Sequence, residues 1–150
     1  MPRKIVQTMK KVRHFISIND LTTSEIKRIF DLAIKLKKNP QKYNKALKDK
    51  TLAMIFEKPS LRTRVSFEAG MTQLGGHAIY LGPNDIQMGA RETPGDIAKN
   101  LERMVDIIMA RVFEHKKLID LSNDTKVPVV NGLSDLEHPC QAMADILTVL

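Results

Sequence analysis

Two hydroxyls and two guanidinium groups fall within five residues, at Ser60, Arg62, Thr63 and Arg64, and all four favour a bound anion. They belong to the string E-K-P-S-L-R-T-R at 57–64, which follows the apolar run 51–56 and precedes a helix-like stretch. That order reads as a strand, a tight turn and a helix start. A helix beginning near Ser60 leaves its first backbone N–H groups without intrahelical acceptors, aimed at whatever lies above the strand end. Amides, hydroxyls and guanidiniums together suit a phosphate. The same string also describes a capped helix with solvated arginines, because serine caps and exposed arginines are common at helix starts. Which description holds depends on what the other strand ends bring to the same place.

Those ends are set by an alternation of helices and strands. Thr22, with Glu25 three residues on, reads as a capping box. It opens a helix whose apolar positions Ile26, Ile29, Phe30, Ala33, Ile34 and Leu36 mostly keep a helical period. Asn39-Pro40 stops that helix, and Lys37 and Lys38 suit its dipole. Strands are predicted at 51–56, 77–81, 106–112 and 127–130. A second helix spans roughly 62–74 and ends at Gly75-Gly76. A third starts near Thr93-Pro94, with Ile97, Leu101 and Met104 or Val105 on one face. The remaining two cover roughly 114–123 and the stretch from His138-Pro139 onward. Residues 82–95 hold three glycines and two prolines and read as a loop of functional length, with a second loop at 131–137. The fold class is therefore α/β, an open parallel sheet of about four strands with helices on both faces. Ligands of such sheets bind beyond the carboxyl ends of the strands. Those ends are 60–64, the 82–92 loop, Arg111 and the stretch 131–141, so the polar candidates collect at one edge.

At 150 residues, 43% hydrophobic and 27% charged, the chain has the composition of one domain with a real core. A lone Cys140 excludes an internal disulfide, and four scattered histidines suggest no structural metal; no cofactor is expected. Cys140 reads as a small buried filler rather than a nucleophile, Met104, Met109 and Met143 as core packing, and His14, His77 and His115 as residues without a partner pattern. No apolar run approaches the roughly 18–20 residues of a membrane span, and the start lacks an apolar signal core, so a cytoplasmic setting is expected. The net charge of +7 is local. Residues 1–50 carry 14 Lys/Arg against 4 Asp/Glu, whereas 51–150 carry 10 against 13. A basic nucleic-acid-binding module would carry such a region, but lysines with few aromatics on the polar side of a helix describe a solvated face better. A basic arm at 1–13, with Arg3, Lys4, Lys10, Lys11 and Arg13, has the charge of a mitochondrial presequence but is short and poor in serine.

Taken together, S-L-R-T-R (60–64), M-A-R-V-F (109–113) and H-P-C-Q (138–141) resemble the carbamoyltransferase family from about residue 14 to the end. The longer strings E-K-P-S-x-R-T-R-V-S-F-E, D-I-Q-M-G and V-N-G-L-S-D-L, with Cys140 in H-P-C-Q, resemble its ornithine branch. The resemblance implies that residues 1–150 form a carbamoyl-phosphate-binding domain, that L-ornithine is the acceptor, and that the acceptor-binding domain is absent from this chain. Ser60, Leu61, Arg62 and Thr63 match the phosphate-binding loop. Arg111 matches the arginine reaching phosphate and carbamoyl oxygens together, and His138 the donor to the carbamoyl carbonyl. Pro139 and Cys140 lie in the same motif, and Gln141 matches the group holding the carbamoyl nitrogen. Gln87 and Arg91 match loop positions reaching a neighbouring subunit's site in a homotrimer. Arg62, Arg111 and His138 are thus the expected catalytic set, with no metal or organic cofactor.

Leu61 stands where the family usually has threonine, which removes one hydroxyl. An acceptor of N-acylated ornithine or aspartate therefore stays open, as do a nucleic-acid-binding module and a non-catalytic subunit-interface domain.

Overall fold

The computed structural model describes residues 12–150. The basic arm expected at 1–13 thus lies outside the described residues except for Val12 and Arg13. The helices are α1 (Thr23–Lys38), α2 (Leu61–Gln73), α3 (Pro83–Ile86), α4 (Pro94–Leu101), α5 (His115–Asn123) and α6 (Pro139–Val149). The strands are β1 (Thr51–Phe56), β2 (His77–Leu81), β3 (Ile107–Arg111) and β4 (Val129–Leu133), all parallel, in the order β2-β1-β3-β4.

Every residue of β1 after Thr51 is buried, as a strand covered on both faces requires. Its alternating side chains divide between two cores. Leu52, Met54 and Phe56, joined by Met109, pack with Phe67 and Met71 of α2. Ala53 and Ile55, joined by Ile108 and Ala110, pack on the opposite face with Ile97 and Ala98 of α4 and Leu118 and Leu121 of α5. The chain therefore leaves β1 toward one face, through α2, and leaves β3 toward the other, through α5. Between those diverging exits the strand order reverses, and ligands of open α/β sheets bind beyond the carboxyl ends at such a point.

Local signals place these elements. The Thr22–Glu25 capping box closes as expected, with Thr22 N–H donating to Glu25 Oε2 at 2.9 Å. At the end of α2, Gly75 has φ +84° and Gly76 N–H donates to Met71 O at 2.8 Å, closing the last turn. A Cβ at Gly75 would lie 2.5 Å from Asn44 O, so the position requires glycine twice over.

Several expectations are corrected. The loop at 82–95 contains a helical turn, α3, because Asp85 Oδ2 accepts the Gly82 N–H at 2.6 Å and Pro83 presets the first turn. The fourth strand is Val129–Leu133, not 127–130. Asn131-Gly132 looks like a turn in sequence but lies inside the strand, because the Asn131 side chain is consumed by backbone groups. A register shift between Ala110 and Arg111 passes Gly132, where a Cβ would run into Met109 Sδ. The third strand begins at Ile107, one residue later than expected, since Asp106 carboxylate instead accepts from Thr51 N–H (2.8 Å) and Lys50 (2.7 Å). Met104 is exposed and Val105 takes the inward position, whereas Met109 and Met143 are buried. The segment before α1 extends the sheet: Phe15 N–H donates to Val129 O and Asn131 N–H to Phe15 O, each at 2.8 Å. Of the apolar positions in α1, only Phe30 is buried.

Candidate functional site

Ser60 caps α2 in an extended conformation, and its Oγ accepts the Thr63 N–H at 3.3 Å. One of the amides expected to be free is therefore already taken, and the helix presents the Leu61 and Arg62 N–H groups. Arg64 is corrected out of the site: its Nε donates to Glu68 at 3.0 Å and its guanidinium lies 3.8 Å above the Tyr80 ring. The second guanidinium is supplied by Arg111, the last residue of β3, whose Nη1 donates to Thr63 Oγ1 at 3.3 Å.

Arg62 and Arg111 have no carboxylate within 4 Å among the described residues. Arg111 Nε is buried and unpartnered. Burial first, and the nearby Arg62 second, push the Arg111 guanidinium below its ordinary range. Two like charges beside a spare buried donor are unfavourable alone and are relieved by a bound anion.

His138 caps α6, with Pro139 in the first turn. Its Nδ1 is also buried without a partner. Burial and then Arg111 lower its pKa, with Asp145 opposing, so the ring is neutral at pH 7 and offers one N–H. Cys140 Sγ lies 3.5 Å from Asn131 O, and burial pushes the thiol up to about 11, so it stays protonated. Gln141 is exposed, and its Nε2 donates to Asp145 Oδ1 at 2.8 Å. Leu61 is exposed beside the cap. Gln87, with φ +49°, and Arg91 are both exposed. Neither side chain hydrogen-bonds to Arg62, Arg111 or His138 among the described residues.

Three supporting residues escaped the sequence reading. Glu57 and Asn131 bridge backbone groups of neighbouring strand ends, and Ser134 Oγ lies 2.8 Å from His115 Nδ1. His14 Nδ1 likewise accepts the Val129 N–H at 3.1 Å, so His14 and His115, read as partnerless, both have partners.

The depressed pKa of His138, and that of His14, lowered by burial, fix the sign of the acid response. Each binds a proton more readily in the unfolded chain, so stability is intact above the ordinary histidine pKa of about 6.5 and falls as pH drops through that value. Thermal melts from pH 7.5 to 5 should show a falling midpoint, with a shallower slope in His138→Gln. Equal slopes would contradict the buried neutral ring.

Residues 13–150 match the family described as aspartate/ornithine carbamoyltransferase, carbamoyl-P binding domain. The chain is 53% identical over 142 residues to a chloroplastic ornithine carbamoyltransferase of Pisum sativum, covering 93% of this chain and 38% of that one. It is 51% identical over 141 residues to the ornithine carbamoyltransferase of Haloquadratum walsbyi, covering 94% and 46%. The structure of ornithine carbamoyltransferase from Pyrococcus furiosus superposes with a TM-score of 0.88 at 50% identity, covering 91% of this chain and 44% of that one. The chain thus spans less than half the length of these relatives.

Proposed function

This chain belongs to the aspartate/ornithine carbamoyltransferase family, and from that premise we propose that it binds carbamoyl phosphate beyond the carboxyl ends of β1 and β3 for transfer of the carbamoyl group to L-ornithine. The phosphate dianion sits at the start of α2, on the Leu61 and Arg62 amides, the Arg62 guanidinium and the Thr63 hydroxyl. Arg111 spans phosphate and carbamoyl oxygens with its planar fork, which a lysine cannot do. Neutral His138 donates to the carbamoyl carbonyl oxygen. Pro139 and Cys140 shape that turn, and Gln141, released from Asp145, holds the carbamoyl nitrogen.

The neutral side-chain amine of ornithine attacks the carbamoyl carbon, forming a C–N bond and a tetrahedral intermediate. Negative charge grows on the carbonyl oxygen, where Arg111 and His138 stabilise it, each such donor being worth about 3 kcal/mol. The C–O bond to phosphate then breaks, and the departing phosphate takes the amine proton. Neither metal nor organic cofactor enters these steps. Ornithine is held mainly by residues outside these 150, and Gln87 and Arg91 reach a neighbouring subunit's site in a homotrimer working in the cytoplasm.

The observation that carries this reading is the pair of buried nitrogens, Arg111 Nε and His138 Nδ1, beside Arg62, none of the three having a partner or counter-ion among the described residues. Relatives at about half identity that are named for ornithine support that acceptor over aspartate or N-acylated ornithine. Calorimetric titration of carbamoyl phosphate should give saturable binding that Arg62→Ala weakens by about ten- to a hundredfold, the worth of one charged hydrogen bond. Binding that ignores Arg62 but collapses on salt addition, and that extends to polyanions, would favour a lysine-borne nucleic-acid surface instead.

A further inference from the structure

Glu57, the first residue after β1, touches the β3 exit at two points. Its backbone N–H donates to Arg111 O at 2.9 Å, and its Oε2 accepts the Phe113 N–H at 2.8 Å. One residue thus grips the chain immediately on both sides of Val112. The other carboxylate oxygen, Oε1, lies 2.6 Å from Lys117 Nζ in the first turns of α5. Both side chains are largely buried, at 12% and 22% exposure, unlike every other ion pair among the described residues. Lys117 also borders Gly89 of the 82–92 loop, where a Cβ would meet its Cε and Nζ at 3.9 Å.

A carboxylate at the rim of an anion site is, by simple Coulomb reasoning, in the wrong place. Its burial against Lys117 cancels the charge, and its two lone-pair directions serve geometry instead. We propose that the Glu57–Lys117 pair is a positioning strut: it ties the exits of β1 and β3 to α5 and the 82–92 loop, and so holds Arg111 where the anion binds. Glu57 and Lys117 act through Arg111 and touch no substrate. This inference rests on the carbamoyl phosphate reading of the site.

The strut and the Coulomb effect have opposite signs, which makes the experiment decisive. Removing one negative charge by Glu57→Gln should tighten binding of inorganic phosphate if charge alone matters. The strut predicts binding weakened about tenfold or more, since sub-ångström misplacement of a binding group is costly. Lys117→Met should weaken binding similarly and Lys117→Arg restore it, while in an Arg111→Lys background Glu57→Gln should add little further loss. Calorimetry with phosphate and carbamoyl phosphate, well below each variant's melting temperature, reads all four. Lys117→Met alone removes a positive charge and weakens binding on Coulomb grounds too, so should Glu57→Gln not fold, the charge-conserving double variant Glu57→Gln/Lys117→Met decides the matter: the strut predicts weakened binding and charge alone predicts no change. Affinity unchanged or improved in Glu57→Gln or Lys117→Met, with Arg62→Ala still weakened, overturns the strut and leaves the anion site standing. A wild-type chain that binds neither ligand overturns both.

Discussion

Arg111→Ala is expected to abolish carbamoyl phosphate binding, weakening it at least about a hundredfold, while leaving the ligand-free fold as stable as the wild type or more so. The loss follows from two or more charge-assisted hydrogen bonds to one ligand, each worth about 1.5–3 kcal/mol. The retained stability follows from what Arg111 lacks when the site is empty. Among the described residues its buried Nε has no partner and its one side-chain hydrogen bond is a 3.3 Å contact to Thr63, while its neighbour Arg62 is a like charge. Deleting such a group removes an uncompensated desolvation rather than a favourable interaction, the usual trade of stability for function at a binding site. Thermal melts with and without ligand check both halves. The wild-type midpoint should rise with carbamoyl phosphate, as mass action requires, and the variant's should not. A variant that melts far below wild type without ligand would show that Arg111 is structural.

The largest effect on the fold itself is expected at Asn131→Ala. Asn131 is fully buried, and its amide satisfies three backbone groups from separate parts of the chain. Nδ2 donates to Ile16 O at 2.9 Å and to Glu137 O at 3.3 Å, and Oδ1 accepts the Leu133 N–H at 2.9 Å. Alanine leaves Ile16 O and the Leu133 N–H without these partners, while Glu137 O keeps the Ser134 N–H at 3.1 Å. The cost is about 3 kcal/mol or more, or roughly 10 °C in melting temperature for a chain of this size. Asn131→Asp should be worse, since an acceptor-only side chain faces two carbonyls and buries a charge. Because Glu137 precedes His138, the turn that presents the imidazole loosens as well, and phosphate affinity should fall with stability. Chemical denaturation of both variants checks the order. A drop below about 1 kcal/mol in Asn131→Ala would mean that water replaces the amide.

These two residues also show what the sequence made legible and what it hid. Arg111 stood out because it ends an apolar run, and a charge at a strand terminus is a strong signal. Ser60, Thr63 and His138 were visible for the same reason, as polar residues at helix starts, and the two glycines after α2 marked its end. Asn131 was hidden because Asn-Gly is the commonest turn signal, and only long-range partners at Ile16 and Glu137 turn it into strand. Glu57 was hidden because its partners, the Phe113 N–H and Lys117, lie 56 and 60 residues away. Arg64 was misread because S-L-R-T-R places two guanidiniums near each other in sequence. A helix sends residues 62 and 64 to different sides, and Tyr80 and Glu68 claim the second. In each case a local pattern was outvoted by a partner that only the tertiary fold supplies.

Where a phosphate binds on this chain is the most direct test of the site. Titrating inorganic phosphate into isotopically labelled chain, and following backbone amides together with arginine Nε–H signals, locates it without assuming any residue's role. The Leu61 and Arg62 amides and Arg111 Nε–H should move together along one binding curve, with the lysines of 27–48 silent. Shifts spread over those lysines, with Leu61, Arg62 and Arg111 unmoved, would contradict it.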